Sequence, residues 1–240
     1  MPDVSFPVAG ASWPAYLAVP GGAPGPWPGV VVIHEAFGLS DDIRQKADEL
    51  AAHGYLALAP DLFEGKSWLR CIRSVFGQLR AGRGPAFEAL DAARDFLAAR
   101  PDCTGKTGVI GFCLGGGFAL LCAPRPGFSV ASVNYGEVPA DAETVLAGAC
   151  PIVGSFGGRD QMGTTPPERL QRALVTLEVA HDVQVYPGSG HRFMTKPSGA
   201  GAAVLAKVSR MTYQPEDAAD AWQRIYAFFT RYLVAESPVS

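Results

Sequence analysis

A chain of 240 residues, 48% apolar and 18% charged, can bury most of the surface its unfolded form exposes, and we read it as one domain spanning residues 1–240. Its formal charge of −3, with Lys and Arg spread along the chain, gives no basis for a nucleic-acid partner. The N-terminal ten residues lack the basic segment and apolar core of a signal peptide, and no apolar run approaches the roughly 20 residues that span a bilayer, so a soluble, cytoplasmic protein without membrane association is expected.

In chain order, short apolar runs alternate with amphipathic segments, the pattern of a mainly parallel sheet flanked by helices. Residues 15–19 and Val30–His34 read as strands, the second continuous enough for a central place in the sheet. The Gly/Pro-rich stretch 20–29 reads as the connection between them. Ser40 is placed to cap a helix with Asp41 and Asp42 in its positive first turn, Ile43, Ala47, Leu50 and Ala51 along one face, and Gly54 as its stop. A strand follows at 55–59. Within 60–84, Trp68, Leu69, Ile72, Val75, Phe76 and Leu79 have helical spacing among glycines and prolines, which reads as a helical excursion. From Pro85 to Arg100, Phe87, Leu90, Ala93 and Leu97 form an apolar stripe, and strand 107–112 comes next.

The second half continues the alternation with strands at 128–135, 151–156 and 182–186. Thr165-Pro-Pro-Glu168 is a capping box opening a helix that carries Leu170, Ala173, Leu174 and Leu177. A last helix begins near Pro215, with Trp222, Ile225, Phe228, Phe229 and Tyr232 on the face that meets the sheet. The five cysteines, 71, 103, 113, 122 and 150, are odd in number and contain no C-x-x-C pair, which argues for thiols over disulfides or a zinc site.

One of those cysteines has a distinctive setting. Gly111-Phe-Cys113-Leu-Gly115 follows a strand and opens a helix, the spacing of a bend sharp enough to expose its middle side chain. A thiol there sits at a helix N-terminus, where unpaired amides favour thiolate, and the Leu114 amide supplies half of an oxyanion hole. An activated thiol needs a base and the base an orienting acid, in the chain order nucleophile, acid, histidine. Of four histidines, His53 and His181 read as surface residues, whereas His191 lies in a glycine-rich loop after the last strand. Asp160, in Gly157-Gly-Arg-Asp160, follows the strand 151–156 in the same way. Cys113, Asp160 and His191 thus satisfy the order, each at the carboxyl end of a strand, where ligand sites of open parallel sheets lie. His34-Glu35 does not begin an H-E-x-x-H zinc motif, since position 38 is glycine.

These residues resemble the dienelactone hydrolases (carboxymethylenebutenolidase type) of the α/β-hydrolase superfamily, from about Val30 to Tyr232. The resemblance rests on Val31-Val-Ile-His-Glu-Ala-Phe-Gly38, Ala59-Pro-Asp-Leu62, Gly111-Phe-Cys-Leu-Gly-Gly116, Gly157-Gly-Arg-Asp160 and Gly190-His191. It implies Cys113 as nucleophile, His191 as base, Asp160 as its orienter and the amides of Ala36 and Leu114 as oxyanion donors. It also implies that Glu35 keeps the thiol in a resting form and takes part in forming the thiolate once an anionic substrate displaces it. The expected activity is hydrolysis of small esters or lactones through a thioester, with no metal or organic cofactor. A broad carboxylesterase or thioesterase, or a non-catalytic binding protein on the same fold, are the alternatives. The resembled enzymes receive a substrate carboxylate on arginines; the candidates here are Arg70, Arg73, Arg80 and Arg192. Arg192 stands where the family has a small polar residue and Thr195 where it has a substrate-binding arginine, which leaves the substrate open.

Overall fold

The computed structural model describes residues 3–22, 24–66, 68–160, 167–196 and 213–234, the side chains of 68–70 excepted. Its centre is an eight-stranded sheet in the order β1-β2-β4-β3-β5-β6-β7-β8. The strands are β1 (Asp3–Val8), β2 (Ala11–Ala18), β3 (Trp27–Ile33), β4 (Leu56–Pro60), β5 (Cys103–Phe112), β6 (Phe128–Asn134), β7 (Ile152–Gly157) and β8 (His181–Tyr186). β1 pairs antiparallel with β2, and β2 antiparallel with β4; from β4 onward every neighbouring pair is parallel. The fold is α/β, as the alternation of apolar runs implied.

Buried on both faces, the central strands send successive side chains to opposite cores. Val31 and Ile33 of β3 join the core that holds α3 (Pro85–Ala98) and α4 (Leu114–Cys122), while Val30 and Val32 join the one under α1 (Asp41–Ala52). The second core is closed by α7 (Pro215–Phe229), through Trp222, Ile225, Phe228 and Phe229, and by the π-helical turn Thr230–Val234 with Leu233. On the first face lie also α2 (Trp68–Ala81), the short α5 (Ala142–Val145) and α6 (Pro167–Thr176).

The helical excursion anticipated within 60–84 is α2, whose Leu79 presses on Gly117 of α4. The strand expected at 15–19 is the end of the longer β2, and β1 was not anticipated. Pro14 interrupts the strand pattern in the sequence, yet it takes a place in β2 opposite Ser5, and its carbonyl accepts a hydrogen bond from the Asp61 amide at 2.9 Å. β1 carries Pro7 and is an edge strand, where a missing donor costs least. Ser40 has the extended backbone of an N-cap, but its side chain makes no capping hydrogen bond. The expected capping box spans 165–168, of which 165 and 166 lie outside the described residues.

The tightest packing lies where α4 meets the sheet. A Cβ on Gly111 would fall 1.9 Å from the Gly115 carbonyl oxygen, and one on Gly115 would fall 2.3 Å from that of Ile33. Backbone therefore touches backbone, and Gly115→Ala should destabilise the protein by more than about 3 kcal/mol in denaturant unfolding. Gly77, inside α2 with nothing within 4 Å of its would-be Cβ, gives the contrast: Gly77→Ala should raise stability by about 0.5–1 kcal/mol.

Candidate active site

Parallel register decides which loops meet. Ile33 pairs with Gly111, and Phe112 with Asn134, so Glu35, Cys113 and Tyr135 emerge side by side from the carboxyl ends of β3, β5 and β6. Gly157 pairs with Tyr186, which brings the loops after β7 and β8 together. These loops are held by the Arg159 amide donating to the Ser189 carbonyl at 2.9 Å, and a Cβ on Gly157 would strike the carbonyls of Gly190 and Ser189 at 2.6 Å. Asp160 and His191 ride on this contact.

Cys113 is the N-cap of α4, with φ 55° and ψ −117°, a conformation that a side chain normally avoids at a cost of about 1–3 kcal/mol. It is held there by its amide donating to the Asn134 carbonyl at 3.0 Å, and by its own carbonyl accepting from Gly116 and Gly117. Its side chain is partly exposed, unlike that of Cys122, whose thiol burial pushes well up. The Leu114 amide is the first of α4, at the positive end of the helix.

His191 Nδ1 hydrogen-bonds Asp160 Oδ2 at 2.7 Å with both side chains almost enclosed. Burial pulls the imidazole pKa down, but the hydrogen bond to Asp160 and the influence of Cys113 and Asp160 outweigh it and raise the value to about 10. The other ring nitrogen, Nε2, is buried and has no hydrogen-bond partner among the described residues, so it is the ring's unused side. Edge-on at 5.3 Å, the Tyr135 ring packs against the imidazole.

Glu35 is buried at 3% exposure and fully engaged. Arg192 Nη2 lies 2.5 Å from its Oε2, while its Oε1 accepts from Thr195 Oγ1 at 2.9 Å and from the Tyr135 hydroxyl at 3.4 Å. Burial first, and then the Glu35 charge, push the Tyr135 phenol well above its ordinary range, so it stays a neutral donor. Arg192 has φ 63° and its guanidinium lies 5.0 Å from the ring centroid of Phe37, an aromatic side chain 60% exposed.

The loop between β3 and α1 is pinned by a residue for which the sequence suggested no role. His34 Nε2 accepts from the Leu62 amide at 3.0 Å, which leaves the proton on Nδ1 to donate to the Glu35 carbonyl at 2.6 Å. Burial lowers the pKa of His34 and keeps it neutral. The peptide joining Glu35 to Ala36 is thereby fixed, and with it the direction of the Ala36 amide.

Of the four arginine candidates, Arg192 reaches the site. Arg73 and Arg80 are exposed on α2, with Arg80 in a groove that also holds Glu137 and Asp141; the side chain of Arg70 lies outside the described residues. His53 is exposed and stacks on Tyr226 at 3.8 Å, as a surface histidine can, while His181 is half-buried as the first residue of β8. Tyr135 and His34 were missed. The strand expected at 128–135 took in Tyr135, whereas β6 ends at Asn134 and Tyr135 leaves at its carboxyl end; Gly136, directly after it, was the available signal. Among the described residues no cluster of His, Cys, Asp or Glu has the arrangement of a metal site.

The raised His191 value has a consequence for stability. A base with folded pKa near 10 and unfolded pKa near 6.5 contributes stability fully present below pH 6.5 and lost as pH climbs through 10. Asp160→Asn removes the strongest upward influence, so between pH 7 and 10 the unfolding free energy of the unsubstituted protein should fall relative to the variant in urea titrations. Parallel curves would contradict the assignment.

Two curated relatives carry the name "Putative carboxymethylenebutenolidase": one from Yersinia pestis, 29% identical with 99% of this chain and 90% of that protein aligned, and one from Escherichia coli, 31% identical with 95% and 86% aligned. A crystal structure titled "Putative Dienelactone Hydrolase", from Klebsiella pneumoniae subsp. pneumoniae, is 28% identical with TM-score 0.80 over 96% of this chain and 98% of that one. Among the described residues no helix is long and apolar enough to cross a membrane. The sequence pattern of the Dienelactone hydrolase family matches residues 13–233, and the chain belongs to that family, a carboxylic ester hydrolase of the dienelactone hydrolase type with the α/β-hydrolase fold.

Proposed function

We propose that the protein hydrolyses a small ester or lactone through a thioester on Cys113. The Cys113 thiolate attacks the acyl carbon, and the amides of Ala36 and Leu114 receive the oxyanion. Collapse breaks the acyl C–O bond, and the leaving oxygen takes the proton of the His191 imidazolium. Water, deprotonated by the same imidazole, then attacks the thioester carbon and expels the thiolate, while Asp160 keeps Nδ1 protonated and the ring aligned. One oxyanion donor contributes roughly 10²–10³ in rate, so the bend itself supplies several kcal/mol of barrier reduction.

The observation that carries this reading is a partly exposed sulfur at a strained helix N-terminus, together with a buried imidazole whose Nδ1 is held 2.7 Å from a carboxylate and whose Nε2 has no hydrogen-bond partner among the described residues. A purely structural cysteine would have no use for the strain. A thiolate is also a better leaving group than an amine, which favours activated esters and enol-lactones over amides. The intact Cys113, Asp160 and His191 set speaks against a binding protein without turnover.

For the substrate, Arg192 is the cation beside Glu35 and Cys113, and a carboxylate on the acyl or alkoxy part of the substrate is its natural partner. In the resting site Glu35 already occupies it, so an incoming carboxylate must compete. That occupancy favours a second reading, a carboxylesterase with no demand for a charged substrate. Glu35, released from Arg192, is the group that turns toward the thiol and takes part in forming the thiolate.

Two measurements test these points. Cys113→Ala should abolish hydrolysis of both chromogenic esters and an enol-lactone, and retained activity would exclude the thioester route. Arg192→Met should raise KM about 10-fold or more for a carboxylate-bearing lactone while leaving KM for a neutral ester within about twofold, the loss of one charge-assisted contact. Equal effects on both substrates would favour the carboxylesterase reading.

A further inference from the structure

We propose that Lys46, on α1 and outside the constellation of Cys113, Asp160 and His191, is a positioning residue for Glu35, acting through the hydroxyl of Thr195. The inference rests on the reading that Glu35 works on the Cys113 thiol, and it adds two residues to that device.

α1 buries Ile43, Ala47, Leu50 and Ala51 in its apolar face, and Lys46 is buried with them at 4% side-chain exposure. Enclosing an ammonium costs several kcal/mol unless it is paired, and an apolar side chain of the same length would fill this space without that cost. Lys46 is paired: its Nζ bonds Asp42 one turn earlier, donates to Thr195 Oγ1 at 3.4 Å and lies 4.9 Å from the ring centroid of Phe112. Asp42 alone would neutralise it at the helix surface. What Asp42 does not explain is why the amine points inward, toward the residue preceding Cys113 and toward a hydroxyl bonded to Glu35.

The direction of this chain of hydrogen bonds is fixed by chemistry. An ammonium has donors and no acceptor, so Thr195 must accept from Lys46. The threonine hydroxyl carries one proton, and with Lys46 donating to the oxygen that proton is left for Glu35 Oε1, 2.9 Å away. The Tyr135 hydroxyl, 3.2 Å from Thr195 and 3.4 Å from Glu35, adds a second donor on the same side. Glu35 is therefore gripped at two ends by different means. Arg192 holds Oε2 at the mouth of the site, where a substrate can displace it, and the Lys46–Thr195 pair holds Oε1 from the interior. When Arg192 lets go, the inner grip persists and serves as the pivot about which the carboxylate turns.

Among the described residues, the ionisable groups around this chain are Asp42 on α1, Glu35 after β3, Cys113 after β5, Tyr135 after β6, and His191 and Arg192 after β8. Glu49, His53 and Lys196 line, together with Lys46 and Asp42, a cavity of about 380 Å³ beside α1 and α7.

The test is a set of variants read by steady-state kinetics on a neutral chromogenic ester and by the pH profile of Cys113 alkylation with iodoacetamide. Lys46→Met/Asp42→Asn removes the pair without leaving a buried lone carboxylate, and Thr195→Val cuts the same chain without touching α1. Each should lower kcat roughly 10- to 100-fold with KM within about twofold, the signature of misplacement without lost binding. Each should also move the alkylation midpoint, and Thr195→Ser should recover most of what Thr195→Val loses. In a Glu35→Gln background neither substitution should have any further effect on the midpoint. An unchanged midpoint and kcat, or the same losses with Glu35 already replaced, would overturn the proposal. Absence of ester hydrolysis by the unsubstituted protein would overturn the proposed function instead, since alkylation reads the link between Lys46, Glu35 and the thiol without any substrate.

Discussion

The site depends on one steric constraint, the contact of the α4 backbone with the ends of three strands. Gly111, Gly115 and Gly116 lie where a Cβ would come within 1.9–2.7 Å of carbonyl oxygens of Gly115, Ile33 and Asn134. Gly136 is similarly pressed against Gly116 from the β6 side. Because those backbones touch, the chain leaving β5 must reverse within one residue, and that residue is Cys113. Its strained φ and ψ persist because the surrounding packing leaves no alternative. The same closeness buries α4 on almost every side, which is why its sequence, Leu114-Gly-Gly-Gly-Phe-Ala-Leu-Leu-Cys122, contains no charge and no apolar stripe. A glycine-rich helix is poor in intrinsic propensity, so tertiary contact must supply what propensity does not.

From that bend the parallel register converts distant sequence positions into neighbours. Residues 35, 113, 135, 160 and 191 follow β3, β5, β6, β7 and β8, five strands adjacent in the sheet in just that order. Every one leaves at the carboxyl end. Charge then arranges the interior in pairs: His191 with Asp160, Arg192 with Glu35, Lys46 with Asp42. In so enclosed a space an unpaired member of any couple would be costly, and the hydroxyls of Thr195 and Tyr135 tie the second pair to the third.

What the sequence makes legible follows from the same physics. The strand–bend–helix unit is written locally, in the spacing of Gly111, Cys113 and Gly115, and the partners of Cys113 are found because each follows an apolar run at a fixed topological position. The hairpin of β1 and β2 is not written in this way. Its pattern is broken by Pro7, on the edge strand β1, and by Pro14, inside β2 opposite Ser5 with its carbonyl bonded to the Asp61 amide, and both places are visible only once the sheet exists. Lys46 escapes for a related reason. A lysine at that helical position reads as a solvated side chain, and nothing local reveals that a hydroxyl from residue 195 waits on the buried side. His34 is similar, since its ring is fixed by the Leu62 amide, from a loop beyond the next strand. Long-range polar pairing leaves no periodic trace.

Arg192 and Thr195 show how that pairing bears on selectivity. Both lie in the turn that follows His191, closed by the Thr195 amide donating to the Arg192 carbonyl at 2.9 Å, and they hold opposite oxygens of one carboxylate. A family pattern with a small residue after the histidine and an arginine further on would put the cation where Thr195 now stands. Here the arginine of this turn is Arg192, its guanidinium 5.0 Å from the ring centroid of the exposed Phe37. On the proposed reading, substrate affinity is then a difference between two carboxylates competing for one guanidinium, not the strength of a single contact. The enclosed one has the advantage of being preorganised by Thr195 and Tyr135, so a ligand must bring further contacts, such as an apolar face for Phe37, before Glu35 yields. On that same reading, the site keeps its carboxylate on Arg192 and away from the thiol until a molecule that fits both Arg192 and Phe37 arrives.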